Sequence, residues 1–267
     1  MKNKRGKSQR PHPNSSRADR WRGDIRKTNS SEAYLGGLNG LRESLASPHV
    51  QVKTIWANPD KLSSEAYELL KPHMEMVEKT HAASPYGELQ QGVGTLVSLP
   101  RWPDLADLLD QDHGKPPLWV VLDQVEDPMN LGQMLRTCEG AGVDAVIVPG
   151  RRAAHLNQTV AQVSQGAFAW VPLVTVVNLR QALETMKTHG IWIVGCEKAP
   201  DAKLWTGIDL TMPLALVMGA EGRGLRELTR NTCDFHALLP MQGRLDSLNV
   251  GAALSAFLYE VIRQRLV

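Results

Sequence analysis

The segment Leu239-Pro240-Met241-Gln242-Gly243-Arg244-Leu245-Asp246-Ser247-Leu248-Asn249-Val250-Gly251 runs from a short apolar stretch through a polar loop into a long amphipathic helix. Past the loop, Val250, Ala253, Leu254, Phe257, Leu258, Val261 and Ile262 recur three and four residues apart, the spacing of one buried helix face. Ser247 or Asn249 suits the N-cap of that helix, because a short polar side chain accepts from the free amides of the first turn. Arg263 and Arg265 stand in the last turn, where cations complement the helix dipole. Strand, polar loop and capped helix form the repeating unit of an α/β domain.

Outward from this segment the same unit recurs. Apolar runs at Leu118–Leu122, Ala145–Val148, Ile191–Val194, Leu214–Met218 and Ala237–Leu239 each lead into a turn or helical segment. Unbroken Val/Ile/Leu runs, rather than polar–apolar alternation, are what a parallel sheet covered on both faces requires. Ligands of such sheets bind at the carboxyl ends of the strands. Two further glycine-bearing turns fall at such ends. The first is Gly219-Ala220-Glu221-Gly222-Arg223-Gly224, which is neither the dinucleotide fingerprint nor a Walker loop. Its glycines permit positive φ and close approach to a ligand, or simply a tight turn with Glu221 as an early-turn acid. The second is Asp127-Pro128-Met129-Asn130-Leu131-Gly132, where proline suits a first helical turn. Leu131, Leu135, Cys138 and Ala141 then make an apolar face, while Gly132, Arg136 and Gly140 share another. That spacing leaves Arg136 open to a large ligand or a second backbone, or as a solvated surface arginine.

Residues 34–99 form a smaller α/β pattern. Leu38, Leu41 and Leu45 have helical spacing, Val50–Trp56 and Gly92–Val97 read as strands, and Ser63 or Ser64 starts a helix through Leu70. The Pro- and Asp-bearing stretch from Pro100 to Pro117 reads as a linker. Residues 1–27 hold ten Lys/Arg against Asp19 and Asp24, a charge of +8 that leaves −6 for the rest of a chain whose net charge is +2. Almost nothing apolar accompanies those charges, so a disordered basic tail is expected, suited to a polyanion such as RNA. No apolar run approaches the roughly 20 residues of a membrane span, and no apolar core follows the N-terminal charges as in a secretory signal. Three cysteines without a C-x-x-C pair fit a reducing, cytoplasmic setting. The scattered histidines have no metal spacing, and Ser247 lacks a nucleophile elbow.

Taken in order, the three turns resemble the SPOUT-type RNA methyltransferases of the SpoU group. Asp127-Pro128-Met129-Asn130-Leu131-Gly132 with Arg136-Thr137 is similar to their first motif, Leu216–Gly224 to the second, and Leu239-Pro240-Met241 through Ser247-Leu248-Asn249-Val250 to the third. The resemblance covers residues 117–265 and is strongest to the 23S rRNA guanosine-2′-O-methyltransferases. It implies a parallel-sheet methyltransferase domain at 117–267 tied in a trefoil knot. It also implies a linker at 100–116, an L30e-like RNA-binding domain at 33–99 and a basic tail at 1–32. An RNA substrate, a homodimer built through the methyltransferase domain and S-adenosylmethionine as methyl donor follow from it, with no metal and no membrane. On that carry-over, backbone at Gly219, Leu239 and Leu248 holds the cofactor, and Asn130, Arg136, Glu221, Ser247 and Asn249 match the functional polar positions. A guanidinium stays protonated in proteins, so Arg136 is expected to act on phosphate and developing negative charge rather than as a base. The chain departs from the family at Gly251-Ala252-Ala253 and, in the smaller unit, at Gln90-Gln91-Gly92 and Leu35–Gly40. Two other readings stand beside this one: a tRNA ribose 2′-O-methyltransferase, and a non-catalytic RNA-binding or ribosome-assembly factor of the same fold.

Overall fold

The computed structural model describes residues 27, 28 and 30–266, so most of the basic segment and its expected disorder lie outside the described residues. The N-terminal unit comprises β1 (Glu32–Gly36), α1 (Leu38–Ala46), β2 (Val52–Ala57), α2 (Ser64–Leu70), β3 (Val77–Lys79) and β4 (Val93–Ser98). Its sheet has the order β1-β4-β2-β3, with β4 antiparallel to both neighbours and β2 parallel to β3. Leu38 and Leu41 of α1 pack with Ile55, Leu70 and Val93 beneath that sheet. Ser63 is the cap of α2, its Oγ accepting from Ala66 N at 3.1 Å. β1 has no counterpart in the sequence reading, because Ala33-Tyr34-Leu35 is too short to show a period and is buried at every position.

The stretch after β4 contains α3 (Leu105–Leu109), capped by Asp104. Leu108 and Leu109 are buried against the second sheet. This segment is therefore anchored by its own apolar side chains, which the proline-rich composition around it concealed.

Beyond it the chain alternates: β5 (Leu118–Asp123), α4 (Pro128–Gly140), β6 (Ala145–Pro149), α5 (Gln158–Val163), β7 (Leu173–Val176), α6 (Leu179–Thr188), β8 (Trp192–Cys196) and β9 (Lys203–Leu204). It continues through β10 (Leu214–Gly219), α7 (Glu227–Arg230), β11 (Phe235–Leu238) and α8 (Val250–Arg265). The seven strands take the order β7-β6-β5-β10-β8-β11-β9, and every pairing is parallel. Along β5, Leu118, Val120 and Leu122 face one core with Leu131 and Leu135 of α4 and Leu254, Phe257 and Leu258 of α8. Trp119 and Val121 face the other, with Leu179, Leu183 and Met186 of α6. Both faces are covered, so the strand alternates in direction without alternating in polarity. The edge strands β7 and β9 escaped the sequence reading because one is half-exposed and the other has two residues.

Two contacts hold this framework where it matters. Gly132 of α4 is required by close packing: a Cβ there would lie 2.7 Å from Val163 Cβ of α5. Arg265, at the end of α8, donates to the carbonyls of Pro116, Pro117, Leu210 and Met212. Burial lowers its pKa somewhat, and Asp144 works in the opposite sense. The N-terminal sheet is docked onto the second unit through its β1 edge. There the Gln158 amide of α5 accepts from Tyr34 N at 2.6 Å and donates to Tyr34 O at 2.5 Å.

Candidate functional site

β10 delivers the chain into a turn that only glycine fits. The Cβ of any residue at Gly219 would lie 2.2 Å from Gly224 C and 2.4 Å from its carbonyl oxygen. Arg223 N and Gly224 N both donate to Ala220 O, at 3.2 and 3.0 Å, with Gly222 and Gly224 at φ of 75° and 67°. The turn thus folds back on the strand that supplies it, leaving Glu221 on its exposed outer side.

Two carboxylates clamp the segment that leaves the turn. Glu197, just past β8, accepts from Leu225 N at 3.2 Å and from the Arg230 guanidinium at 2.5 and 2.9 Å. That hydrogen-bonded pairing raises the Arg230 pKa above its ordinary value, the Glu197 charge adding to it. Asp123, fully buried at the end of β5, accepts from Arg226 N at 3.1 Å and Arg226 Nε at 2.6 Å. A carboxylate removed from water is retained only where such donors satisfy it. Asp123, Glu197, Arg226 and Arg230 were not anticipated as parts of this region. Their sequence signal is an acid placed directly after an apolar strand, at the end where ligands bind.

The third motif follows β11 as an exposed loop and closes with Asn249. Asn249, rather than Ser247, caps α8: its Oδ1 accepts from Gly251 N at 2.9 Å and Ala252 N at 3.4 Å. Its Nδ2 donates to Asn130 Oδ1 at 3.0 Å, joining the third motif to the first. Asn130 stands in the opening turn of α4, whose cap is Asp127, accepting from Met129 N at 3.0 Å. Further along, Thr137 and Ser255 hydroxyls meet at 3.2 Å and tie α4 to α8.

The second and third motifs enclose a cleft of about 620 Å³. Gly219, Leu239 and Leu248 all line it, with Glu221 and Ser247 at its polar margin and Met218 and Phe257 among its apolar walls. An adjoining notch of about 270 Å³ is lined by Gln124–Asp127, Asn130, Glu221 and Arg223. Arg136 stands apart from both, exposed on α4 and without a hydrogen bond or ion pair among the described residues. The four-residue spacing of Gly132, Arg136 and Gly140 does not make one open ligand face, because Gly132 is buried under α5.

The two thiols near the cleft are held in their protonated form by burial. Burial pushes Cys196 well above the ordinary thiol range, with Cys233 adding to the rise. Burial first, then the Glu197 charge, brings Cys233 up to about 12. A thiol becomes reactive as its thiolate, which neither residue supplies near neutrality.

The model of the SpoU rRNA methylase family matches residues 117–259. The 23S rRNA (guanosine-2′-O-)-methyltransferase RlmB of Pseudomonas putida is 38% identical over 240 residues, covering 86% of this chain and 96% of that protein. The RlmB of Pseudomonas aeruginosa is 50% identical over 161 residues, covering 60% of this chain and 64% of that protein. The crystal structure of the SpoU methyltransferase AviRb from Streptomyces viridochromogenes, in complex with AdoMet, matches with a TM-score of 0.74 at 26% identity. That match covers 88% of this chain and 91% of AviRb. This chain belongs to the SpoU rRNA methylase family.

Proposed function

We propose that the protein transfers a methyl group from S-adenosylmethionine to a ribose 2′-hydroxyl of RNA, at a guanosine of 23S rRNA. The observation that carries this reading is the single cleft formed by the second and third motifs, opening beside the first-motif notch. The cleft suits the cofactor: its volume lies within the roughly 300–1,000 Å³ of small-molecule sites, and apolar side chains alternate with glycine-rich backbone along its wall. Leu239, Leu248 and Met218 offer apolar surface to a purine ring, while the backbone around Gly219 offers hydrogen bonds beside it.

When bound, the cofactor supplies an electrophilic methyl group. The protein's own residues have to bring a ribose hydroxyl up to it and stabilise charge as the hydroxyl proton leaves. Asn130 and Glu221 face the notch, where they orient the acceptor ribose. Asn249 fixes Asn130 while capping α8, so the acceptor side of the site is tied to the cofactor side. Ser247 sits on the loop between them. Arg136, a permanently charged fork, lies outside the cleft and notch of its own chain, so its assigned work of holding a phosphate and stabilising the developing alkoxide needs the bound RNA or a second copy to bring that charge to it. That role accounts for its lack of a partner within the described chain. The exposed polar surface of α4 near Arg136 also suits contact with a second copy, as in the homodimer the family resemblance implies.

The same reading makes residues 33–99 an L30e-like RNA-binding domain, 100–116 its connection and 117–267 the methyltransferase domain with a trefoil knot in its C-terminal part. The mixed four-stranded sheet flanked by α1 and α2 supports the first assignment. The overall likeness to AviRb supports the last. An Arg136→Lys variant tests the assigned chemistry, since it keeps the charge and loses the fork. Cofactor affinity by calorimetry should be unchanged while the rate of methyl transfer falls about 10-fold or more, the scale of a lost positioning interaction. A wild-type rate would remove the positioning part of the Arg136 role, and a wild-type protein that binds no S-adenosylmethionine would leave a pure RNA-binding role.

A further inference from the structure

A second, larger concavity of about 910 Å³ lies along the same sheet edge, on the side away from the cofactor cleft. Four arginines line it: Arg151 and Arg152 after β6, Arg180 on the first turn of α6, and Arg226 after the glycine turn. Glu227 is the acidic side chain of that lining. Arg151 and Arg152 make no side-chain hydrogen bond or ion pair among the described residues and are exposed. Their loop is nevertheless fixed at both ends, by Gly150 N to Val176 O at 2.9 Å and Ala154 N to Val125 O at 2.8 Å. Within it Arg152 adopts a φ of 55°, a left-handed conformation uncommon for a long side chain. Arg180 is engaged by Glu184 at 2.9 Å, an exposed pair that exchanges readily for another anion. Arg226 is bound through Nε to the buried Asp123, which aims the guanidinium while its two terminal nitrogens have no partner among the described residues.

The three concavities adjoin one another. Gln124 lines both the arginine groove and the first-motif notch, and Ala220, Glu221 and Arg223 line both the notch and the cofactor cleft. Read along the sheet, the cofactor cleft lies over β10, β8 and β11, the notch over the end of β5, and the arginines over the ends of β6 and β7. We propose that this groove holds the sugar–phosphate backbone of the RNA strand flanking the methylated nucleotide, with Arg151, Arg152 and Arg180 on phosphates. The inference rests on the methyltransferase reading, which places the acceptor ribose in the notch next to it. No aromatic side chain lines the groove, so it offers charge to a backbone and no stacking platform to a base. Contacts of this kind set register and affinity without reading sequence.

The test compares the full chain with R151Q/R152Q/R180Q and R151K/R152K/R180K, measuring binding to a single-stranded fragment of 23S rRNA by fluorescence anisotropy across a potassium chloride series. Three lost phosphate contacts reduce the slope of log K against log salt by about 2, at roughly 0.7 per contact for a single strand. The glutamine variant should show that reduction and a raised KM for RNA, with unaltered affinity for S-adenosylmethionine. The lysine variant should keep the wild-type slope. A glutamine variant with the wild-type slope overturns the proposal. Should the triple variant fold poorly, the single substitution Arg151→Gln, at an exposed side chain, decides through a slope change of about 0.7. Cofactor binding and methyl transfer by the wild-type protein report separately on the catalytic reading, so either conclusion can fail without the other.

Discussion

Replacing Gly219 with alanine is the sharpest perturbation of the proposed cofactor wall. The added Cβ would lie 2.2 Å from Gly224 C, 2.4 Å from Gly224 O and 2.5 Å from Leu225 N, whereas ordinary van der Waals contact begins at 3.4 Å. Backbone, not a flexible side-chain tip, occupies that space, so the turn has to retreat by about 1.2 Å, the difference between 3.4 and 2.2 Å. The retreat pulls on Leu225 N, which Glu197 accepts, and on Arg226, which Asp123 accepts. Overpacking of this kind costs about 1–3 kcal/mol. If binding requires the original turn, that cost appears as a roughly 5- to 140-fold loss of affinity, at 1.4 kcal/mol per tenfold. Isothermal titration with S-adenosylmethionine measures it, and thermal melting reports whether the fold survives. Gly243→Ala is the matched control: it borders the same cleft, and nothing lies within 4 Å of the added carbon. Equal affinities for Gly219→Ala and Gly243→Ala would refute the claim that the glycine turn forms the cofactor wall.

Further outcomes follow from the same contacts. Asn249→Ala removes the cap of α8 and the bond to Asn130, and should lower stability by about 1 kcal/mol and reduce methyl transfer. Asn249→Asp should recover most of the stability but not the activity, because it keeps the accepting oxygen and loses the donor; wild-type activity in Asn249→Asp would contradict the Asn130 link. Thiol labelling at pH 8 should be nearly absent in the native protein and complete in denaturant, since burial holds Cys196 and Cys233 above the thiolate range. Rapid native labelling would contradict that burial. Glu260 of α8 has its pKa lowered by the hydrogen bonds from Arg263. A carboxyl with a depressed folded pKa contributes stability above its unfolded value, near 4.3, and loses it as pH falls through the folded one. Denaturant titrations should therefore show a shallower acid-side decline in Glu260→Gln, and a parallel decline would discount the pair.

The sequence made the second sheet readable because its strands are buried on both faces, so Leu118–Leu122 and Leu214–Met218 stand out as unbroken apolar runs. The α8 stripe was equally plain, since one face of it alone meets the core. Edges were harder: β1, β7 and β9 are short, and the backbone of β1 is bonded by Gln158, more than a hundred residues away. At the site, Gly219, Glu221, Leu239, Ser247 and Leu248 line one cleft. The supporting pairs Asp123–Arg226 and Glu197–Arg230 were hidden because each joins residues far apart in sequence. Gly132 looked like one member of an open arginine face, yet the neighbour that claims its space, Val163, carries no local signal.

In the proposed reaction the acceptor is a ribose hydroxyl brought to a cofactor held between the second and third motifs. Incubating the purified protein with S-adenosylmethionine bearing a labelled methyl group and unmodified 23S rRNA, then mapping the product by nuclease digestion and mass spectrometry, tests it most directly. One guanosine should carry the label on its 2′-oxygen, with the signal reduced in Gly219→Ala at a cofactor concentration that does not saturate the variant. Label on a base, or no transfer from a cofactor that calorimetry shows to be bound, would contradict it.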